Sequence, residues 1–381
     1  MTIGILGGGQ LGYMLALAGY PIGLRFRILD PSPDAPAGMI APHIAATYED
    51  RDALKKFSDG LEAVTYEFEN VPVETAKYLS ERSPVYPPIV ALEEAQDRVR
   101  EKNLFQKLGI PVADFVEVRS AAALDSSIRR IGLPAVLKTT RMGYDGKGQW
   151  ALRTQEDVDK ARAELPSTPL ILEKWINFER ELSMLAVRSR DGQIHFYPLV
   201  ENHHRGGILR LSIAPAPMVS PALQIAAEGA ARQVLEALGY VGVLCIEFFE
   251  VGGRLLANEM APRVHNSGHW TIEGAVCSQF ENHLRAVAGL PLGATAAHGY
   301  SAMLNLIGEL PNAAEVLQIP GAHLHLYGKE PRPGRKVGHV TLRAATLDQL
   351  QQRLRQLPPF FQRPEFCLDR GAAAEALGRR A

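Results

Sequence analysis

Lys138-Thr-Thr-Arg-Met-Gly-Tyr-Asp-Gly-Lys-Gly-Gln149 is the run on which the reading of this chain turns. Leu133-Pro-Ala-Val-Leu137 before it and Trp150-Ala-Leu-Arg153 after it have the apolar, short character of strands, so the glycine-rich part is expected to join two strands. A glycine-rich loop with lysines suggests phosphate. The P-loop, however, needs Gly-Lys-Ser/Thr running straight into a helix, and here Lys147 is followed by Gly148 with no helical pattern behind it. What remains is a flap whose backbone amides, with Lys138 or Lys147, close over phosphates. An ordinary polar hairpin is the plainer alternative.

Working outward, 381 residues predict two or three domains. Hydrophobic content of 46% and charged content of 22% suit a soluble globular protein. A formal net charge of −1 gives no electrostatic case for nucleic acid or anionic membrane as partners. Cys245, Cys277 and Cys367 are too scattered for a disulfide framework or a zinc site. The N-terminus lacks a signal-peptide pattern and no run is long and apolar enough for a membrane span, so a reducing cytoplasm is expected.

The N-terminal end reads as a β-α-β unit. Ile3-Gly-Ile-Leu6 is a buried-strand pattern, Gly7-Gly-Gly-Gln-Leu-Gly12 its turn, and Arg25 to Asp30 the next strand. Gly7, Gly9 and Gly12 with Asp30 nearly fit the dinucleotide fingerprint, but a lone match is weak. It implies only that an anionic ligand approaches backbone at a helix N-terminus, or that the glycines serve a tight turn. Glu67 and Glu69, at the end of the strand through Val64, fall near the same place and suit ribose hydroxyls or a solvated strand end. Helices are expected over Ala91–Leu108, Ala121–Ile131, Gln155–Leu165, Ala222–Leu238 and Thr271–Val287.

Val241 to Glu250 and Leu255 to Met260 read as a β-hairpin turned at Gly252-Gly253. A regular two-residue turn pairs Glu247 with Asn258; a bulge or longer loop puts Glu247 opposite Glu259. Facing carboxylates repel unless a cation lies between them, and Mg²⁺ shared with phosphates is the usual solution, so the shifted register is expected. Acids facing solvent are the alternative. The polar loop Ala261 to His269 follows, with Arg263, His265, Asn266 and His269. Arg263 suits an oxyanion or phosphate. The last ~90 residues are expected to form a small unit of short strands. Its Lys329, Arg332, Arg335 and Lys336, around Pro-Gly turns, suit a phosphate ester or a solvated basic turn. The Ala/Arg-rich end after Gly371 is expected to fray.

Taken in order, Gly7–Gly12, Gly143–Gln149, Asn258–His269 and Tyr327–His339 resemble the ATP-grasp ligases, and within them the N5-carboxyaminoimidazole ribonucleotide synthetases. The resemblance spans nearly the whole chain; Val264 stands where proline is expected. It implies an α/β fold with a parallel N-terminal domain over 1–93. An ATP-grasp domain over 94–292 would carry a lid at about 113–176, and a small β-rich domain would follow over 293–381. It also implies a homodimer.

The roles it implies fall on particular residues. Arg98 and Lys138 would reach the ATP phosphates, covered by Gly143, Tyr144, Asp145, Gly146, Lys147, Gly148 and Gln149. Glu173, Lys174, Trp175 and Ile176 would face adenine, with Glu181 on the ribose and His204 near the nucleotide. Glu247 and Glu259, beside Asn258, would hold Mg²⁺. Aminoimidazole ribonucleotide would lie against Gln10, Leu11, Glu67 and Asn266, its phosphate on Lys329, Arg335 and Lys336, with Asp145 and Arg263 where the substrates meet. The implied chemistry is ATP-driven carboxylation by bicarbonate through carboxyphosphate. Formate-dependent formylation of glycinamide ribonucleotide, an NAD-dependent oxidoreductase and a noncatalytic nucleotide sensor are the rivals.

Overall fold

A computed structural model describes residues 1–143, 148–165 and 168–362. Three sheets organise them. The first is parallel, in the order His43–Ala45, Arg25–Asp30, Thr2–Leu6, Ala63–Tyr66. Its central strand is buried on both faces, with Ile3, Ile5 and Leu6 fully enclosed, which is why that segment reads as a continuous apolar run.

The second sheet spans the segment expected as the lid: Phe115–Val118, Leu170–Lys174, Ala135–Thr139 and Gln149–Leu152, all antiparallel. Helices Ala121–Ile131 and Gln155–Glu164 join its strands, each started by a side-chain cap. Ser120 accepts from the Ala123 amide, and Thr154 with Asp157 forms a reciprocal capping box. Lys138 pairs with Gln149, so the glycine-rich run does link neighbouring strands.

The third sheet has nine strands. Its main path runs from Arg254–Ala261 through Gly242–Val251, Arg180–Arg188, Val200–Arg205, Ile208–Ala214, Tyr300–Ile307 and Lys336–Ala344 to Ala322–Leu326. Side-chain alternation divides its core. Leu182, Met184, Leu244 and Ile246 pack with helix Pro221–Ala237, whereas Leu185, Val187, Val243 and Cys245 pack with helix Gln279–Ala288. The second face also meets the N-terminal sheet. There Thr65 Oγ1 lies 2.8 Å from His283 Nε2, and the Val243 amide donates to His283 Nδ1 at 3.1 Å.

Three expectations change. The helix expected over Ala91–Leu108 is two, Ile89–Ala95 and Arg98–Lys107, because the Asp97 carboxylate accepts from the Val99 and Arg100 amides and starts a new helix. Thr271–Val287 likewise divides into Thr271–Gly274 and Gln279–Ala288, restarted by Ser278. The C-terminal strands do not make a sheet of their own: Leu211 to Ala214 pair with Leu304 to Ser301, so they extend the central one. The end after Gly371, expected to fray, lies outside the described residues.

Candidate active site

The glycine turn at 7–12 is already filled. Glu67 Oε1 accepts from the Gly9 amide at 2.9 Å, and its Oε2 accepts from Leu11 and Gly12 at 3.0 Å each. Asp30 takes the Gly8 amide at 2.7 Å. A helix N-terminus attracts an anion, and here the chain supplies its own. The glycines are required by that approach: a Cβ on Gly9 would stand 2.6 Å from Glu67 Oε1, and one on Gly7, at φ +93°, 2.6 Å from Glu67 Cγ. This corrects two expectations. The Gly8, Gly9, Leu11 and Gly12 amides of the turn are taken by the chain's own acids, and Glu67, with three amides on its oxygens, faces the turn, whereas Glu69 lines the cleft beside it.

Two adjoining clefts open beyond this turn. One lies between the lid and the central sheet and is lined by Arg98, Lys138, Gln149, Glu173, Lys174, Trp175, Ile176, Glu181, His204, Glu247, Asn258 and Glu259. The other lies over the N-terminal turn and is lined by Gln10, Leu11, Glu69, Arg98, Gly143, Glu247, Glu259, Arg263, His265, Asn266 and Lys336. Arg98, His204, Gly207, Glu247 and Glu259 belong to both. Many of the residues singled out in the sequence thus line the two clefts, with Glu247 and Glu259 in the wall where they meet.

That wall depends on a bulge. The hairpin turns at Gly252 and Gly253, both at positive φ, and runs in regular register from Val251–Arg254 to Phe248–Ala257. The register then shifts by one, leaving Asn258 as the extra residue and setting Glu247 opposite Glu259. Arg98 Nη1 holds Glu259 Oε2 at 2.7 Å, and its other nitrogen donates to the Gly143 carbonyl at 3.3 Å. His265 holds the second acid. Its Nδ1 accepts from the Ser267 amide at 3.3 Å, so the ring proton belongs on Nε2, 3.3 Å from Glu247 Oε1.

Enclosure would raise both carboxyls, but the two are driven apart. Enclosure and then the Glu259 charge push Glu247 up. Glu259 is held well down, against enclosure, by the Arg98 guanidinium. Two facing carboxylates and the Asn258 Oδ1 oxygen, which is buried without a partner, form an all-oxygen set that fits Mg²⁺ completed by phosphate oxygens. No group of three or more metal-ligating acids, histidines or cysteines occurs among the described residues.

Around the lid-side cleft, Lys138 Nζ lies 3.2 Å from Glu173 Oε2. Glu181 pairs with His204, whose protonated form is favoured by that carboxylate against burial. Lys174 does not turn its ammonium inward: Nζ donates to the Ile131 carbonyl at 3.2 Å. In the other cleft Arg263 pairs with Glu69, and Asn266 exchanges amide hydrogen bonds with Asn305 at 2.7 and 3.0 Å. Lys336 lines this cleft, but Lys329 and Arg335 do not. Lys329 donates to Gln10, and Arg335 Nη1 to the Glu330 carbonyl at 3.2 Å. A Cβ on Gly148, at φ +68°, would stand 2.7 Å from Thr139 Oγ1; Tyr144, Asp145, Gly146 and Lys147 lie outside the described residues. Val264 is fully buried, so the position expected to hold proline serves the core.

Three features were not drawn from the sequence. Phe178 and Phe249 stack 4.6 Å apart, 11° from parallel, on the wall of the lid-side cleft. Glu101 accepts from the Met260 amide at 2.6 Å, and burial, then Glu259, pushes it up to about 8. Lys102 lies buried behind Glu173. Only the alternation of Glu247 and Phe249 on one strand face could have signalled any of these.

Residues 1–96 match the ribonucleotide synthetase preATP-grasp domain, 103–280 the ATP-grasp domain and 301–353 the phosphoribosylaminoimidazole carboxylase C-terminal domain. An N5-carboxyaminoimidazole ribonucleotide synthase of Pseudomonas aeruginosa is 57% identical over 357 residues, 94% of this chain and 98% of its own length. The chain belongs to the N5-carboxyaminoimidazole ribonucleotide synthase family. The crystal structure of the family member from Thermus thermophilus matches with a TM-score of 0.90 at 60% identity, covering 93% of this chain and 97% of that one. An N5-carboxyaminoimidazole synthase from Aspergillus clavatus, solved with ADP and 5-aminoimidazole ribonucleotide, matches at TM-score 0.86 and 33% identity over 93% and 96%. No helix among the described residues of this family member is long and apolar enough to cross a membrane.

Proposed function

We propose that the chain uses ATP and bicarbonate to carboxylate the 5-amino group of 5-aminoimidazole ribonucleotide, releasing ADP and phosphate, as a step of purine synthesis. The observation that carries this reading is the shared wall: two adjoining clefts meet at Arg98, His204, Glu247 and Glu259. ATP is assigned to the lid side, where Lys138 and Arg98 would neutralise its phosphates and Phe249 lines the wall. The ribonucleotide is assigned to the side of Gln10, Asn266 and Lys336.

Bicarbonate oxygen attacks the γ-phosphorus, ADP leaves, and carboxyphosphate forms at the junction. The amine then attacks the carboxyl carbon, or CO₂ released from it, and phosphate leaves. Arg263, anchored by Glu69 and lining the ribonucleotide side, is placed to steady the anion there. Glu247 and Glu259 would hold Mg²⁺, which would supply charge neutralisation to the phosphates. The glycine-rich run would exclude water from carboxyphosphate, with Asp145 assigned to orient the amine. Neutral His265 keeps Glu247 turned to the junction, and burial, then Arg263, hold that imidazole down to about 3.

The test is ADP release that needs both 5-aminoimidazole ribonucleotide and bicarbonate. Turnover with formate and glycinamide ribonucleotide in their place would overturn it. A homodimer in the cytoplasm is part of the same proposal. The exposed leucines Leu17, Leu317 and Leu326 along one groove and the buried free thiols of Cys245 and Cys277 support it; sedimentation velocity reads the dimer.

A further inference from the structure

Lys102 is among the most deeply buried side chains of the protein, 1% exposed, although nothing in the chemistry above employs it. It projects from helix Arg98–Lys107, one turn after Arg98. Its ammonium lies 3.2 Å from Glu173 Oε2 and donates to the Ala257 carbonyl at 3.4 Å. Glu173 stands on lid strand Leu170–Lys174, and Ala257 on strand Arg254–Ala261, next to Asn258 and Glu259. Lys102 therefore joins the two halves of the nucleotide cleft from behind.

The oxygen it contacts is already in use. Lys138 Nζ is also 3.2 Å from Glu173 Oε2, so two ammonium groups share one carboxylate oxygen. The other oxygen, Oε1, is buried without a partner. Desolvating a lysine is costly, and an apolar side chain would fill this space without that cost. A second cation changes what Lys138 can do. In a closed one-to-one pair, drawing Lys138 toward a phosphate would strand a buried carboxylate. With Lys102 behind it, Glu173 keeps a counter-ion whichever way Lys138 points, and the cluster carries one net positive charge toward an anionic ligand.

We propose that Lys102 is a positioning residue of the nucleotide site, taking up the charge of Glu173 so that the Lys138 ammonium is released to the nucleotide phosphates. The proposal rests on Lys138 being a phosphate ligand, and so on the assignment of ATP to the lid-side cleft.

The test is calorimetric binding of ADP, with steady-state kinetics beside it, on Lys102→Met. The ADP Kd and the KM for ATP rise about tenfold, an ordinary coupling between contacting groups. The KM for the ribonucleotide moves less than about twofold, because Lys138 and Glu173, the groups through which Lys102 acts, line the lid-side cleft and not the other. Equal losses for both substrates, or no loss for ADP, overturn the proposal. In a Glu173→Gln background the added Lys102→Met has almost no further effect on ADP, since no charge is left to compensate. An undiminished effect there would mean Lys102 acts by packing alone. Lys102→Gln, which keeps a donor for Ala257, carries the same comparison if the methionine variant does not fold. ADP binding does not depend on the carboxyl acceptor, so a failed carboxylation assay would overturn the functional reading and leave this test standing.

Discussion

Glu67 shows how a residue can be found by sequence while the direction of its side chain is not. Its type and its place near Gly7–Gly12 were legible; its direction was not, because an acid at a strand end serves a ligand or a neighbouring helix equally well. Three amides on one carboxylate decide for the helix. Glu67→Gln keeps the shape but sets an amide donor against one or more of those N–H groups, so urea unfolding should show a loss of roughly 1–3 kcal/mol. An unchanged midpoint would mean the turn does not depend on it. Glu173 gives a prediction in pH. Burial works to raise it, but Lys102 and then Lys138 hold it down to about 2, below its usual 4.5. A carboxyl lowered in the folded state adds stability that is present above pH 4.5 and lost as pH falls toward 2. That contribution is on the order of 3 kcal/mol. Wild-type stability in urea should therefore drop between pH 5 and pH 3 more steeply than that of Glu173→Gln. Parallel profiles would show that the carboxylate is not stabilised by the two lysines.

Among elements, the Gly242–Val251 and Arg254–Ala261 hairpin was the most legible. Its glycines gave the turn, and the cost of two facing carboxylates gave a reason for them to share a cation, hence the shifted register that the bulge at Asn258 produces. Helix ends were less legible. Asp97 lies within a continuous helical pattern, and nothing local says that its carboxylate will cap the next helix. The attachment of Tyr300–Ile307 to Ile208–Ala214 was invisible, since pairing across some ninety positions leaves no periodic trace. The hairpin carries its own test. Glu259→Gln removes one of the two facing charges and the partner of Arg98. ADP formation should fall below detection at saturating Mg²⁺, and Mn²⁺ affinity followed by electron paramagnetic resonance should weaken at least about tenfold. Near-UV circular dichroism should be retained. Unchanged turnover would take Glu259 out of the metal site.

At the scale of the molecule, the cleft over the N-terminal turn, to which the ribonucleotide is assigned, is assembled from three distant parts of the chain. Gln10 comes from the first helix, Arg263 and Asn266 from the loop after the hairpin, and Lys336 from the start of a C-terminal strand. The continuous sheet explains how this works: strand Lys336–Ala344 is hydrogen-bonded to Tyr300–Ile307, and that strand to Ile208–Ala214, so a remote lysine is held on the same framework as the acid pair. Lys329 braces the arrangement by donating to Gln10 instead of lining the cleft. Lys336 lines this cleft and not the one under the lid. Lys336→Ala should therefore act on one substrate only. Losing one phosphate-directed charge corresponds to roughly 1.5–3 kcal/mol, so the KM for the ribonucleotide should rise about tenfold or more. The KM for ATP and the ADP affinity should stay within about twofold, because Arg98 and Lys138, the cations of the cleft to which ATP is assigned, are untouched. A change confined to ATP would place the C-terminal basic segment over the other cleft and reverse the assignment of the two substrates.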